Sequence, residues 1–309
     1  MTDSRDQYGE DVVFGSIVDG SITEIIDSMV SVIGTQVFQG CTSLTTASFP
    51  NATLISSCAF QNCYSLTTAR FPNVTSIGSS AFQSCYSLTT VSFPACTSIG
   101  SYAFNKCSVL TTASFPSVTS IGGSAFTSCA DLTTVSFPAC IRIGSSAFYS
   151  CSSLATVDIS NATTIGEAAF RGCSALVEAY FPKIITVPKD CFNKCSNLQS
   201  ITLSDVITAI GASAFAGCVS LTEFSARGKV MAIDQSAFYG CTRLVSVNLT
   251  HCSVVPTTYN SNMFGNTPIG GNSGSAGQYG SIYVPASLYD AFCSAANWST
   301  YSSRIVSVA

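Results

Sequence analysis

Sixteen cysteines and a single histidine are the first residues to consider for chemistry. Ten of the cysteines, Cys41, Cys63, Cys85, Cys107, Cys129, Cys151, Cys173, Cys195, Cys218 and Cys241, recur at one position of a repeated word. Equivalent side chains in neighbouring repeats point in parallel, whereas a disulfide needs Cβ atoms about 3.8 Å apart and facing each other. No Cys-x-x-Cys pair occurs, which removes the common zinc signatures. The ladder therefore reads as small, buried, apolar filling. Six more cysteines remain: Cys58, Cys96, Cys140, Cys191, Cys252 and Cys293. Cys96 and Cys140 occupy a position held in other repeats by Ala52, Val74, Val118 and Ala162, which again reads as core. So much free thiol suits a reducing or anaerobic setting.

Nucleophilic or acid–base catalysis needs converging groups, and the sequence offers few. His251 has no second histidine to complement it. Asp158 and Glu178 come nearest to a carboxylate pair, as strand positions one repeat apart, but a diagonal pair on an exposed strand face reads as a solvated acidic spot. No catalytic, metal-binding or cofactor-binding residue is assigned, and the chain reads as a non-enzyme. Charged residues are only 9% of the chain, against about a quarter in ordinary soluble proteins. Twelve scattered Lys and Arg within a net charge of −4 exclude a phosphate-binding surface and hence nucleic acid as a partner. No stretch reaches the roughly 18 apolar residues of a membrane-spanning helix, and the polar start Met1-Thr2-Asp3-Ser4-Arg5-Asp6 does not resemble a signal peptide.

The elements that position all these residues follow from one recurring word, I-G-x-x-A-F-x-x-C-x-x-L-T-T-x-S-F-P. Its central Phe falls at Phe38, Phe60, Phe82, Phe104, Phe126, Phe148, Phe170, Phe192, Phe215 and Phe238, with seven spacings of 22 residues and then two of 23. A fixed period of this length predicts a solenoid, in which each coil buries its apolar face against its neighbours. Within one coil, Leu110-Thr111-Thr112-Ala113-Ser114-Phe115 alternates as a half-buried strand, with Ala113 and Phe115 inward and Thr112 and Ser114 outward. Pro116 ends that strand because it cannot donate to a ladder. Val118-Thr119-Ser120-Ile121 is a second extended piece, Gly122 a corner, and Ser124-Ala125-Phe126 a short helical turn.

The fold class is thus a right-handed leucine-rich-repeat solenoid, mostly β with short helical turns. It has about ten coils of 22–23 residues and a cap at each end. Residues 1–10 form a disordered tail, 11–32 an N-terminal cap, 33–264 the solenoid and 265–280 a Gly/Ser loop. Residues 281–309 are a C-terminal cap of strand, helix and strand: strand 281–285, an amphipathic helix 286–297, and a last strand 304–308 that closes the edge.

The A-F-x-x-C-x-x-L-T-x-x-x-F/I-P word over about residues 30–250 resembles the BspA-type leucine-rich repeats of surface proteins from oral and gut anaerobes and some mucosal parasites. The tail Tyr283-Val284-Pro285-Ala286 with Ala296-Asn297-Trp298-Ser299 is similar to a terminal module that follows such repeats in gut bacteria. The resemblance implies adhesion to a protein or glycan of the host matrix or of another microbe, from a cell-surface or extracellular location. Similar repeats in prophage proteins imply an alternative: a structural spacer or host-recognition part of a virion, or a cytoplasmic chain.

A binding role would be carried by the outward strand positions. The first five coils show Thr46/Ser48, Thr68/Arg70, Thr90/Ser92, Thr112/Ser114 and Thr134/Ser136. The next five change to Thr156/Asp158, Glu178/Tyr180, Ser200/Thr202, Glu223/Ser225 and Ser246/Asn248. Asp158, Glu178, Tyr180, Thr202, Glu223 and Asn248 are therefore the expected binding face, centred on Tyr180 because tyrosine is stiff and amphipathic. The expected partner is a protein or glycan met by a monomer, without membrane insertion. An ice-binding reading of the Thr-x-Ser rows is weakened by Arg70, which interrupts them.

Overall fold

The computed structural model of the protein describes residues 21–271 and 279–309. The expected tail 1–10 and the first part of the expected cap lie outside the described residues, as does the middle of the Gly/Ser loop. The chain divides into two compact units, Met1–Asp158 and Ile159–Ala309.

In the first unit the coils contribute three-residue and two-residue strands that stack in parallel on their equivalents in the next coil, except that the long-strand ladder breaks between Thr68–Arg70 and Thr90–Ser92. The longer strands form two sheets, Glu24–Ile26 with Thr46–Ser48 and Thr68–Arg70, then Thr90–Ser92 through Thr112–Ser114 and Thr134–Ser136 to Thr156–Asp158. Register is set one period apart, so Ser92, Ser114, Ser136 and Asp158 form one outward row while Val91, Ala113 and Val135 face the core. Residues 24–26 belong to the span expected as an N-terminal cap; they continue the ladder as one more strand.

The turn segment before each cysteine supplies a third ladder. The sharp turning expected at Ser124-Ala125-Phe126 takes the form of hydrogen-bonded turns with two left-handed residues per coil, two before and two after the phenylalanine. Ser124 (φ 56°) and Ser128 (φ 61°) are one such pair. A regular α-helix would aim every N–H along its own axis. Here alternate N–H groups point to the next coil: Ser124 donates to Ser145 O, Phe126 to Ala147 O and Ser128 to Tyr149 O, each at 2.8 Å. On the strand side donation runs both ways: Thr119 N donates to Thr97 O of the preceding coil at 2.9 Å, and Phe93 N to Ser114 O of the next at 3.1 Å.

Two phenylalanine columns fill the interior. Phe60, Phe82, Phe104, Phe126 and Phe148 stack with centroids 5.2–5.4 Å apart. The strand-end rings Phe71, Phe93, Phe115 and Phe137 stack beside them at 5.5–5.9 Å. All of these are essentially inaccessible to water. Gly122 is required less by its own torsions than by its neighbour: a Cβ there would sit 2.5 Å from Ser101 N of the preceding coil.

The second unit repeats this plan with strands Glu178–Phe181 and Ser200–Leu203 in one sheet and Glu223–Ser225, Ser246–Asn248, Ser281–Pro285 and Ile305–Val308 in another. The extra residue of the first 23-residue coil falls between Leu203 and Ala209, in the connection between long and short strands, so both ladders keep register. Phe170, Phe192, Phe215, Phe238 and Phe264 form its ring column. Trp298 and Tyr301 then lie against Phe264, and the Trp298 indole N–H donates to Pro256 O at 2.7 Å. The expected helix 286–297 is shorter, a 3-10 turn Ala286–Leu288 running into an α-helix Tyr289–Ser294, and a further 3-10 segment Ser299–Arg304 follows. Strand Ile305–Val308 joins in parallel, so the terminal module covers the ring column while extending the sheet.

Candidate binding face

The outward face arises from strand alternation. In Glu178–Phe181 the side chains of Ala179 and Phe181 are buried, so Glu178 and Tyr180 must project to solvent, and Tyr180 is 54% exposed. Register sets Glu178 beside Ser200 and Tyr180 beside Thr202. The structure thus brings three of the expected residues, Glu178, Tyr180 and Thr202, onto one two-stranded patch. Glu223 and Asn248 lie on the other sheet of the same unit, diagonal to each other across the Glu223–Ser246 and Ser225–Asn248 pairs. Asp158 ends the last strand of the first unit, so the Asp158 and Glu178 carboxylates are divided between the two units.

The six residues differ in what their side chains already do. Asn248 Oδ1 accepts from Thr250 N at 3.0 Å and from Thr250 Oγ1 at 2.7 Å, a turn-stabilising arrangement that occupies its oxygen. Glu178, Tyr180, Thr202 and Glu223 are exposed, with no such internal engagement among the described residues. The row also extends further than the repeat word suggests. Asn248 pairs with Tyr283 and Tyr283 with Val306, so a second tyrosine stands on this face. Its signal in the sequence is the alternation Ser281-Ile282-Tyr283-Val284, which lies outside the repeat.

In the first unit the regular hydroxyl rows are not featureless. Thr112, Ser114, Thr134, Ser136, Thr156 and Asp158 line an open depression of about 460 Å³ over the buried Ala113 and Val135 and the half-buried Val157. The threonine one place earlier in each strand serves the scaffold: Thr111 Oγ1 donates to Thr89 O at 3.0 Å and Thr133 Oγ1 to Thr111 O at 3.2 Å.

The cysteine ladder is structural chemistry. Cys107 Sγ donates to Phe82 O at 3.2 Å, Cys129 to Phe104 O at 3.1 Å and Cys151 to Phe126 O at 3.1 Å, each reaching the preceding coil. None of the sixteen cysteines is in a disulfide. Burial pushes the thiols of Cys107 and Cys151 up to about 12, and that of Cys129 well above its ordinary value. Such thiols are poor nucleophiles and poor metal ligands. Among the described residues no group of three His, Cys, Asp or Glu side chains converges as a metal site, and no helix is long and apolar enough to cross a membrane. His251 is exposed, its Nδ1 3.3 Å from Thr250 Oγ1.

The pattern of the BspA type leucine-rich repeat region matches residues 18–116, 75–190 and 163–271, a continuous span over most of the chain. The protein belongs to the BspA-type leucine-rich-repeat family. Among solved structures it is similar to a leucine-rich repeat protein from Bacteroides ovatus, with TM-score 0.57 and 23% identity over 93% of this chain and 84% of that one. It is also similar to a leucine-rich cell surface protein from Faecalibacterium prausnitzii, with TM-score 0.50 and 26% identity over 89% of this chain and 80% of that one. No match was found among curated proteins.

Proposed function

We propose that this BspA-type chain is a non-enzymatic binding protein of the cell surface. Its strand face, centred on Glu178, Tyr180 and Thr202, engages a protein or glycan partner. The carrying observation is Tyr180, a large amphipathic ring more than half exposed on a rigid strand, set in register beside Thr202 and one position from the Glu178 row. A ring held by two buried neighbours, Ala179 and Phe181, loses little further freedom on binding, so contact area on it is gained at low entropic cost. Glu178 and Glu223 give the patch an acidic character, which suits a contact surface bearing Lys, Arg or hydroxyl donors. The cell-surface placement rests on the Faecalibacterium prausnitzii relative.

The test is attachment of the purified chain to immobilised mucosal and matrix glycoproteins, with wild type compared to a Glu178→Ala, Tyr180→Ala double variant. Binding should fall about tenfold or more, the range of an interface anchor, with an unchanged melting curve. Equal binding by the folded variant would move the contact surface elsewhere.

A further inference from the structure

The turn side of the second unit carries a recess that has no counterpart in the sequence pattern. The position after the ring-column phenylalanine usually bears a long side chain: Gln39, Gln61, Gln83 and Asn105 in the first coils, and Asn193 and Tyr239 in later ones. In the first coils these amides occupy one another, Gln61 Nε2 donating to Gln83 Oε1 at 2.6 Å. After Phe215 the residue is Ala216, and the left-handed position beyond it is Gly217, followed one coil on by Gly240. The row is therefore cut to its backbone for one coil. The result is a trough of about 510 Å³, within the usual range of small-ligand sites.

Its walls have a definite chemistry. One side is the Tyr239 ring, 40% exposed, with its hydroxyl fixed by a 2.7 Å hydrogen bond from Asn266 Nδ2. The opposite side is Asn193 and Lys194; the Asn193 amide is nine-tenths buried and held by Asp190 Oδ1 at 2.7 Å. The floor is Ala216 with the glycine backbone, and Ser213, Ser236 and Asn262 supply hydroxyl and amide groups along the rim. Lys194 is the only charged residue lining the trough, and it has no ion-pair partner among the described residues. An aromatic face opposite fixed amides and hydroxyls suits a ring with one C–H face and a polar edge. An unpaired ammonium at that edge favours a carboxylate on the ring, an attraction that the overall charge of −4 makes local.

We infer that this trough is a glycan subsite for an acidic pyranose, a uronic or sialic acid residue, on a side of the coil separate from the strand face. It does not depend on the strand-face reading, because none of its residues lies in a strand. The experiment is titration of the full chain with oligosaccharides ending in glucuronate or sialate, each beside its neutral counterpart, at low salt. The acidic sugars should bind about tenfold more tightly than the neutral ones. Lys194→Met should remove that preference, and Tyr239→Ala should weaken acidic and neutral sugars alike. Ala216→Gln installs the side chain already carried at the same position by Gln61 and Gln83, so the coil should keep its melting temperature while the trough fills and binding is lost. Failure of any acidic sugar to bind, equal binding of neutral sugars, or undiminished binding by folded Ala216→Gln would each overturn the assignment.

Discussion

Cys107 illustrates how a reactive residue type becomes inert filling. Its thiol is buried, donates to the Phe82 carbonyl, and ionises only near 12 because burial disfavours the thiolate. An ordinary thiol with a value of 9.0 ionises in the unfolded chain, so the folded state holds more protons between about pH 9 and 12. The stability that these raised thiols contribute is full below pH 9 and is lost as pH rises through that window. Urea midpoints should thus be level up to about pH 9 and fall toward about pH 11. The Cys107→Ser, Cys151→Ser variant, which keeps a donor at both carbonyls, should show a shallower fall. In the native protein at about neutral pH, a thiol reagent should reach Cys58 and Cys293, the two that are only partly buried, and leave the fourteen others until unfolding. Mass spectrometry of the labelled protein reads this directly. The ladder's packing role was legible from the spacing alone, but its hydrogen bond to the preceding coil was not, because it depends on which carbonyl lies above. The same limit applies at Asn248: its outward position follows from alternation, whereas its capture by Thr250 is local turn geometry.

At the scale of the element, adjacent coils approach so closely that single atoms decide. A methyl group on Gly122 would meet Ser101 N at 2.5 Å, and one on Gly144 would meet Gly123 N at 2.5 Å. Gly123, next in sequence to Gly122, would meet Ser145 O only at 3.4 Å. Gly122→Ala should therefore destabilise by about 1–3 kcal/mol through overpacking, while Gly123→Ala should stay within about 0.5 kcal/mol. Thermal melts of the two variants side by side separate backbone approach from general loss of glycine. Strand positions, the inward phenylalanines and the role of Pro116 were all readable from period-2 alternation. The third ladder was not, since Ser80, Ser124 and Ser128 carry no turn signature of the Gly or Asn kind and adopt left-handed torsions because the stack demands it. The C-terminal helix is shorter than its sequence suggests for a related reason: Trp298 is drawn down onto Phe264 and Pro256, which stops the helix at Ser294.

For the whole molecule, stability is a sum over neighbours, and a defect in the ring column is felt locally. Phe126 touches Phe104 at 5.2 Å and Phe148 at 5.4 Å. Phe126→Ala should cost about 3–5 kcal/mol and split the melting of the first unit into two steps, which calorimetry would resolve. A single unbroken transition at the wild-type temperature would place that ring outside the core. The repeated ladders carry a further consequence, for inheritance. Every coil presents the same set of N–H groups, forward from the turn and in both directions from the strands, so the surface left by removing one full period matches the surface it is rejoined to. Loss of residues 93–114 would bring Ser92 into sequence with Phe115 and leave every remaining donor an acceptor of the same kind. Recombination in the gene can thus lengthen or shorten this protein by whole coils without repair elsewhere, whereas the single extra residue of each 23-residue coil sits in the connection between long and short strands, between Leu203 and Ala209 and again between Ser225 and Ala232.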